Sequence, residues 1–461
     1  MILYRVWLAA VVMMGAVAWA HTIEDGYQVV EHLDLAPHGW VRGSSALPRQ
    51  MMLFRIAPKL DRLNEFQQKV IDLSTPGHPT YGQFMTRGQV RAMLRPATQA
   101  TETIYSWLAA EGVPANAIQD TGDWIKFTVP IDHAERMMRT RFHSFHHIDS
   151  GRSTIRTLMY SVPLSVAPYI ETIQPTTFFS QPDLQSSQEK GRLGPRDPQI
   201  SGNCNTRIVP SCLKQLYNFV GYEPLSDTGN SIAVTGFLDE YANVQDLQAF
   251  YAHFRPDAVN STFQVVFING GANNQDASEA GREAALDVQY AFSLTYPVPA
   301  TFYSTGGQPP FHPDLDTLTN TNEPYADFLD YVLNQDDPPL VIATSYGDPE
   351  QTVPRAYAER VCTQLAQLGA RGVSVLFASG DHGVGKTCIS NDGRNATRFK
   401  PTFPATCPFV TSIGATQYVD PERAVELSGG GFSDYFSRPA YQHEVVGRYV
   451  NGIPQKQWSG M

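Results

Sequence analysis

Residues 353–380, VPRAYAERVCTQLAQLGARGVSVLFASG, put a helix and a strand side by side. The first part carries a helical pattern that stops at Gly372. VSVLFASG is a short apolar run closed by Ser-Gly, the signature of a buried strand. The same alternation continues on both sides. Strands are expected in SIAVTGF (231–237), FQVVFING (263–270), LVIATSYG (340–347) and FVTSIGAT (409–416). Helical patterns lie between them, in EAGREAALDVQYAFSL (279–294) and ADFLDYVLNQ (326–335). Strands alternating with helices predict an α/β fold: a parallel sheet with helices on both faces. Functional groups in such folds gather at the carboxyl ends of the strands. Two ends stand out, SYGD at 345–348 and SGDHGVGKT from Ser379.

GREAALDVQYAFS, from Gly281, sets Glu283 and Asp287 four residues apart on a helix. Like charges at that spacing repel by a few tenths of a kcal/mol. Sorted by face, Arg282, Gln289 and Ser293 fall on one side, while both acids fall with Ala280, Ala284, Ala291 and Leu294. Carboxylates turned toward a core need partners, shift their pKa, or work. The plainer alternative is a short helix with two solvated acids.

The chain has 461 residues, enough for two or three domains, and a net charge of −11. That balance argues against nucleic acid or an anionic membrane as partner. Residues 1–20 read as a secretory signal peptide, an Arg5-led apolar run ending in Ala18-Trp19-Ala20, so the chain is expected to be secreted and extracellular. The five cysteines fit that compartment. Cys204 with Cys212 and Cys388 with Cys407 are the expected disulfides, leaving Cys362 as a free thiol. Asn260 and Asn395 begin sequons for N-glycans.

Residues 21–182 mix helical and strand patterns and predict a compact α+β domain. Its signals include KLDRLNEFQQKVIDLST (helix), DWIKFTVPI (strand) and DHAERMMRTRF (helix). Residues 183–203 are polar and rich in Pro, Gly, Ser and Gln, a linker whose Lys190 and Arg192 suit processing. Residues 204–461 hold the alternating pattern.

GDHGVGKT (380–387) satisfies the phosphate-loop pattern G-x-x-x-x-G-K-T. That loop must open a helix whose N-terminus faces the phosphates. Here Thr387 leads into CISNDGRNATRFKPTFP, which has no helical pattern, and Asp381 would place a negative charge in an anion cradle. The better reading uses Asp381 itself: protonated, it can donate to a developing oxyanion.

CNTRIVPSCLKQLYN, EAALDVQY, the run from Ser345 through Gly385, NDGRNATRFKPTFPATCPFVTSIGAT and SGGGFSDYF together resemble the sedolisins, the serine-carboxyl peptidases, and within them the fungal tripeptidyl-peptidases. STPGHPTYGQFMT, GDWIKFTV and YSVP resemble that family's propeptide. The resemblance runs from His38 to Tyr449. It implies a subtilisin-like parallel sheet preceded by an activation propeptide that acts as intramolecular inhibitor and chaperone. Glu283 would be the general base, Asp287 would hold and polarise it, and Asp381 would serve the oxyanion. A glutamate base suits acid pH, where histidine would be protonated. Ser345, Tyr346 and Gly347 would line the channel for peptide or protein substrates, and residues 428–431 would form another wall. The family also implies calcium, bound by a C-terminal Asp- and Gly-rich segment.

The family's serine stands in a Gly-Thr-Ser motif downstream of SGGGFS, and Gly-Thr-Ser does not occur in this sequence; nor does the calcium segment. Ser459 lacks motif and support. The chain is therefore expected to be a truncated product, inactive as it stands. Two other functions compete: a non-catalytic product of the same gene, and a carboxylate-pair hydrolase such as a glycosidase. One helical turn between Glu283 and Asp287 is too close for the latter.

Overall fold

The computed structural model describes residues 23–179 and 204–452, apart from 25, 34–35, 37–39, 121, 123, 149–152, 178, 206, 226–227 and 420. The signal peptide, the whole of the linker and Ser459 lie outside the described residues.

The N-terminal part is built on an antiparallel sheet in the order Ile170–Gln174, Met51–Pro58, Ile125–Pro130, Ile118–Asp120. Phe54 lies opposite Phe127, and both are buried with Ile104, Leu108 and Phe142. The helix expected from KLDRLNEFQQKVIDLST runs over Leu63–Ser74. That expected from DHAERMMRTRF is shorter, Ile131–Met137, because Arg139 turns left-handed at φ 43° and breaks it.

The C-terminal part carries a six-stranded parallel sheet. Its spatial order is Gln264–Ile268, Ala300–Thr305, Ile232–Gly236, Val341–Thr344, Ser374–Ala378, Thr411–Ile413. Val234 pairs in register with Phe302 on one side and Ala343 on the other. Successive side chains of a strand point to opposite faces. Ala233 accordingly joins the core under helices Tyr325–Asn334 and Arg355–Ala370, while Ile232 and Val234 join that under Val244–Phe254 and Arg282–Thr295. Helices thus cover both faces. No helix follows Thr387 among residues 388–400.

The two parts pack together through side chains from both. Phe66 and Val70 of Leu63–Ser74 share a buried cluster with Ala366 and Ala370. Arg87 pairs with Asp336 at 2.7 Å, and the Met85 N–H donates to the Ala370 carbonyl at 2.8 Å. Arg360 is buried between Glu171, 3.8 Å away, and the Trp124 ring. Gly372, at φ +86°, meets the Phe84 ring where a Cβ would stand, 2.7 Å away, so neither space nor backbone there admits a side chain.

The disulfides correct one expectation. Cys204–Cys212 is bonded, but Cys407 is bonded to Cys362, and Cys388 is the free thiol. The helix Arg355–Ala370 turns Cys362 into the core, where it meets Cys407; both are buried. Cys388 sits in the Gly-rich loop at φ 52°, its sulfur turned toward the carbonyls of Val384 and Gly385.

Beneath the Ser345–Asp348 segment lies a buried acid pair that sequence reading did not find. Glu323 and Asp348 are 3% and 5% exposed. Thr321 donates to Asp348 Oδ1 at 2.5 Å. Glu323 Oε2 and Asp348 Oδ2 are buried with no hydrogen-bond partner among the described residues, and the charge of Asp348 acts on Glu323. Burial raises both groups above the usual carboxyl range. A raised folded pKa gives stability that is fully present below the unfolded value and lost as pH rises through the folded one. Thermal stability should therefore fall toward neutral pH, by about 1.4 kcal/mol per pH unit crossed in that window. Glu323→Gln, which keeps a donor and removes one titrating acid, should flatten the decline. Equal slopes for both proteins in calorimetry from pH 4 to pH 8 would rule the pair out as its source.

Candidate active site

Three strands and one helix converge on the acids. The helix Arg282–Thr295 begins at Gly281, where the Glu240 carboxylate accepts from the backbone N–H groups of Glu283 (3.1 Å) and Ala284 (3.4 Å). An anion is favoured at a helix N-terminus. Gly281 is needed there because an added Cβ would stand 2.0 Å from Glu240 Oε2. Glu240 was not anticipated. An isolated acid in a loop has no periodicity, and its place just past the end of Ile232–Gly236 was the available signal.

The core stripe of this helix is Ala284, Val288 and Phe292. Glu283 and Asp287 flank it, each partly buried, on one face as their spacing requires. The polar side is placed less well by the sequence: Ser293 is buried, its hydroxyl given to the Tyr290 carbonyl, while Leu286 is half exposed.

Ser345 follows the strand Val341–Thr344 and donates its hydroxyl to Asp287 Oδ1 at 2.8 Å. The same hydroxyl also acts to lower Glu283. Tyr346 is buried, its ring edge-on to Phe237. Gly347 is exposed, packed so closely that a Cβ would lie 2.8 Å from Thr402 and 2.9 Å from the Phe403 carbonyl oxygen. Asp381 is exposed on the turn after Ser374–Ala378. The 428–431 segment lies against that turn: Gly429 N–H donates to the Gly380 carbonyl at 2.8 Å, and Gly430 N–H to that of Gly383 at 3.0 Å.

Electrostatically the acids form one group. Burial, then the charges of Asp381 and Glu240, push Glu283 up to about 7. Burial, then the charge of Glu283, push Asp287 up to about 7. The Ser345 hydroxyl pulls both the other way. Because the charge of Glu283 raises Asp287, the pair loses its protons in two steps, and the singly protonated form can still accept a proton. The cluster is thus equipped for acid–base work on a group placed above it.

Nearby, Lys400 Nζ is buried between Asp314 Oδ2 (2.9 Å) and Asp316 Oδ2 (2.6 Å) and ties the far end of the Asp381 loop to the 314–316 segment. Among the described residues no group of three or more His, Cys, Asp or Glu side chains is placed to hold a metal ion. Lys400 Nζ occupies the place between Asp314 and Asp316, so these residues do not fit calcium and no step below runs through it.

Residues 38–179 match the Pro-kumamolisin activation domain. Over 440 residues the chain is 43% identical to the probable tripeptidyl-peptidase SED3 of Arthroderma benhamiae, covering 94% of this chain and 74% of that protein. It is 41% identical over 449 residues to the tripeptidyl-peptidase SED4 of Arthroderma otae (95% and 74%). To the tripeptidyl-peptidase SED2 of Arthroderma otae it is 41% identical over 469 residues (98% and 78%). An activation domain ahead of a parallel-sheet domain with acids at its strand ends defines a peptidase proenzyme. The chain belongs to the sedolisin family, in its fungal tripeptidyl-peptidase group.

Proposed function

We propose that this chain derives from a secreted, acid-acting serine-carboxyl peptidase that removes tripeptides from free N-termini. Glu283 is the general base, Asp287 holds and polarises it, and Asp381 donates to the oxyanion when protonated. The backbone of residues 345–347 pairs with an extended substrate. The observation that carries this reading is the cluster itself: two acids of one helix, Asp287 held by the Ser345 hydroxyl, with the charge of Asp381 felt at Glu283. The relatives' names supply the tripeptidyl preference. In the reaction, ionised Glu283 takes the proton of a serine hydroxyl as it attacks the scissile carbonyl, and Asp381 neutralises the oxyanion.

Residues 21–182 act as inhibitor and chaperone. The burial of Phe66 and Val70 against the helix Arg355–Ala370 supports the chaperone role, since it covers apolar surface the peptidase part would otherwise expose. Glycans are proposed at Asn260 and Asn395, both exposed in left-handed turns. No helix among the described residues is long and apolar enough to cross a membrane.

The test needs a serine-bearing form, the chain extended with a Gly-Thr-Ser segment from a matched fungal relative. At acid pH it should release the reporter from a tripeptide with a free amine and leave the N-acetylated one intact. Equal cleavage of both would make it an endopeptidase.

A further inference from the structure

We propose that Lys400 is a positioning residue of this centre: its ammonium anchors the Gly-rich loop 380–387 and so fixes where Asp381 stands in the acid cluster. The inference rests on the role just proposed for Asp381. The Asp381 carboxyl is exposed and takes no hydrogen bond or ion pair among the described residues, so its place is set by the backbone that carries it. Residues 380–387 form no helix or strand. Gly380 and Gly385 stand at φ +101° and +122°, and glycine loses more conformational freedom on ordering than any other residue. Such a loop needs anchors outside itself.

Its first half hangs on the 427–430 segment. The Gly383 N–H donates to the Leu427 carbonyl at 2.9 Å, beside the bonds from Gly429 to Gly380 and from Gly430 to Gly383. Its second half hangs on Lys400. The Lys400 N–H donates to the Val384 carbonyl at 2.8 Å, and the Lys400 stem lies against Gly385, where an added Cβ would stand 3.0 Å from Lys400 Cβ. Beyond the stem, the ammonium has three N–H groups and three acceptors: Asp314 Oδ2 at 2.9 Å, Asp316 Oδ2 at 2.6 Å and Thr387 Oγ1 at 3.1 Å. Thr387 closes the link by donating its hydroxyl (3.0 Å) and its N–H (3.1 Å) to the same Asp316 oxygen. The last residue of the phosphate-loop pattern thus serves a carboxylate. The far side of the anchor is held as well. Asp314 Oδ1 accepts from the N–H groups of Asp316 (2.8 Å) and Thr317 (2.7 Å), and Asp314 Oδ2 accepts from Gln351 at 2.6 Å.

Stability alone accounts poorly for this arrangement. Lys400 and Asp314 are buried, and the cost of desolvating such charges offsets most of their attraction, so packed apolar side chains would hold the fold as well. What the ions add is one fixed geometry for the residues they join. The anchor also persists at acid pH. Burial pulls Lys400 down, but its hydrogen bonds with Asp316 and Asp314 outweigh that and raise it. Burial pushes Asp316 up, but its bonds with Lys400 and Thr387 outweigh that and lower it.

The experiment is a double-mutant cycle in the folded 461-residue chain. It reads the Glu283 titration midpoint by infrared difference spectroscopy, with Glu283→Gln identifying the band. Asp381→Asn should lower that midpoint, by an amount set by where the loop holds the Asp381 charge. In a Lys400→Met background the same change should move it less than about half as far. The lost Lys400 charge acts on Glu283 with and without Asp381, and cancels in the cycle. Thr387→Val removes the hydroxyl link and keeps both ion pairs. It should also shrink the effect, and it serves if the methionine variant does not fold. Thr387→Ser, which restores the hydroxyl, should return the full effect. A Lys400 that only stabilised the fold would leave the effect of Asp381→Asn undiminished in a folded Met or Val variant, and that result, or a Ser variant behaving like Val, would overturn the proposal. A Glu283 midpoint that ignores Asp381 even with Lys400 in place would overturn the shared site and the anchor together, so the two failures are told apart.

Discussion

Glu283→Gln in the serine-bearing form should lower kcat for a free tripeptide reporter by at least about 10⁴-fold, with KM little changed. Glutamine keeps the volume of the side chain and its place beside Ser345, so the cleft keeps its shape. What it loses is the ability to take a proton. Burial and the charges of Asp381 and Glu240 raise Glu283 to about 7 in the resting chain, so at acid pH it holds a proton there, and the base of the reaction is its ionised fraction, a stronger base than an exposed carboxylate. A variant within tenfold of wild type would remove Glu283 from the chemistry and leave Asp287 as the acid to mutate next.

Residues 21–461, processed at acid pH, should show no turnover of the same reporter. Against the serine-bearing form the deficit should reach about 10⁶-fold, the scale on which loss of a nucleophile disables a triad. Gly-Thr-Ser is absent from the sequence. The Ser345 hydroxyl lies beside the acids, yet its proton is given to Asp287 at 2.8 Å. Without an activated nucleophile the acids supply only modest electrostatic help. Comparable turnover by the two forms would refute the account of the missing serine and direct mutation to Ser459 and other hydroxyls.

Much of this site was legible in the sequence because it is local. The spacing of Glu283 and Asp287 fixes them on one helical face, and SYGD and SGD mark strand ends. What escaped is set by tertiary packing. The strand Ala300–Thr305 lies second in the sheet, yet ATFYST follows Pro297 and Pro299 and carries Thr and Ser where an apolar run was sought. Its polar groups are met from outside the strand, as where Ser304 donates to the Ala272 carbonyl at 2.5 Å. Cys407 lies nearer in sequence to Cys388, and loop closure favours the shorter link, but the buried face of the helix Arg355–Ala370 delivers Cys362 instead. Glu240 and the Glu323–Asp348 pair gain meaning only from partners distant in the chain, which no local pattern encodes.

The central claim is that Glu283, Asp287 and Asp381 form one electrostatically coupled centre. The most direct measurement is the titration of Glu283 in the folded 461-residue chain with and without the charge of Asp381. Asp381→Asn removes a negative charge that now raises Glu283, so the Glu283 midpoint should move down from about 7. A midpoint that stays in place in the folded variant would mean that the two acids do not share a site, and the account of the active centre would be contradicted.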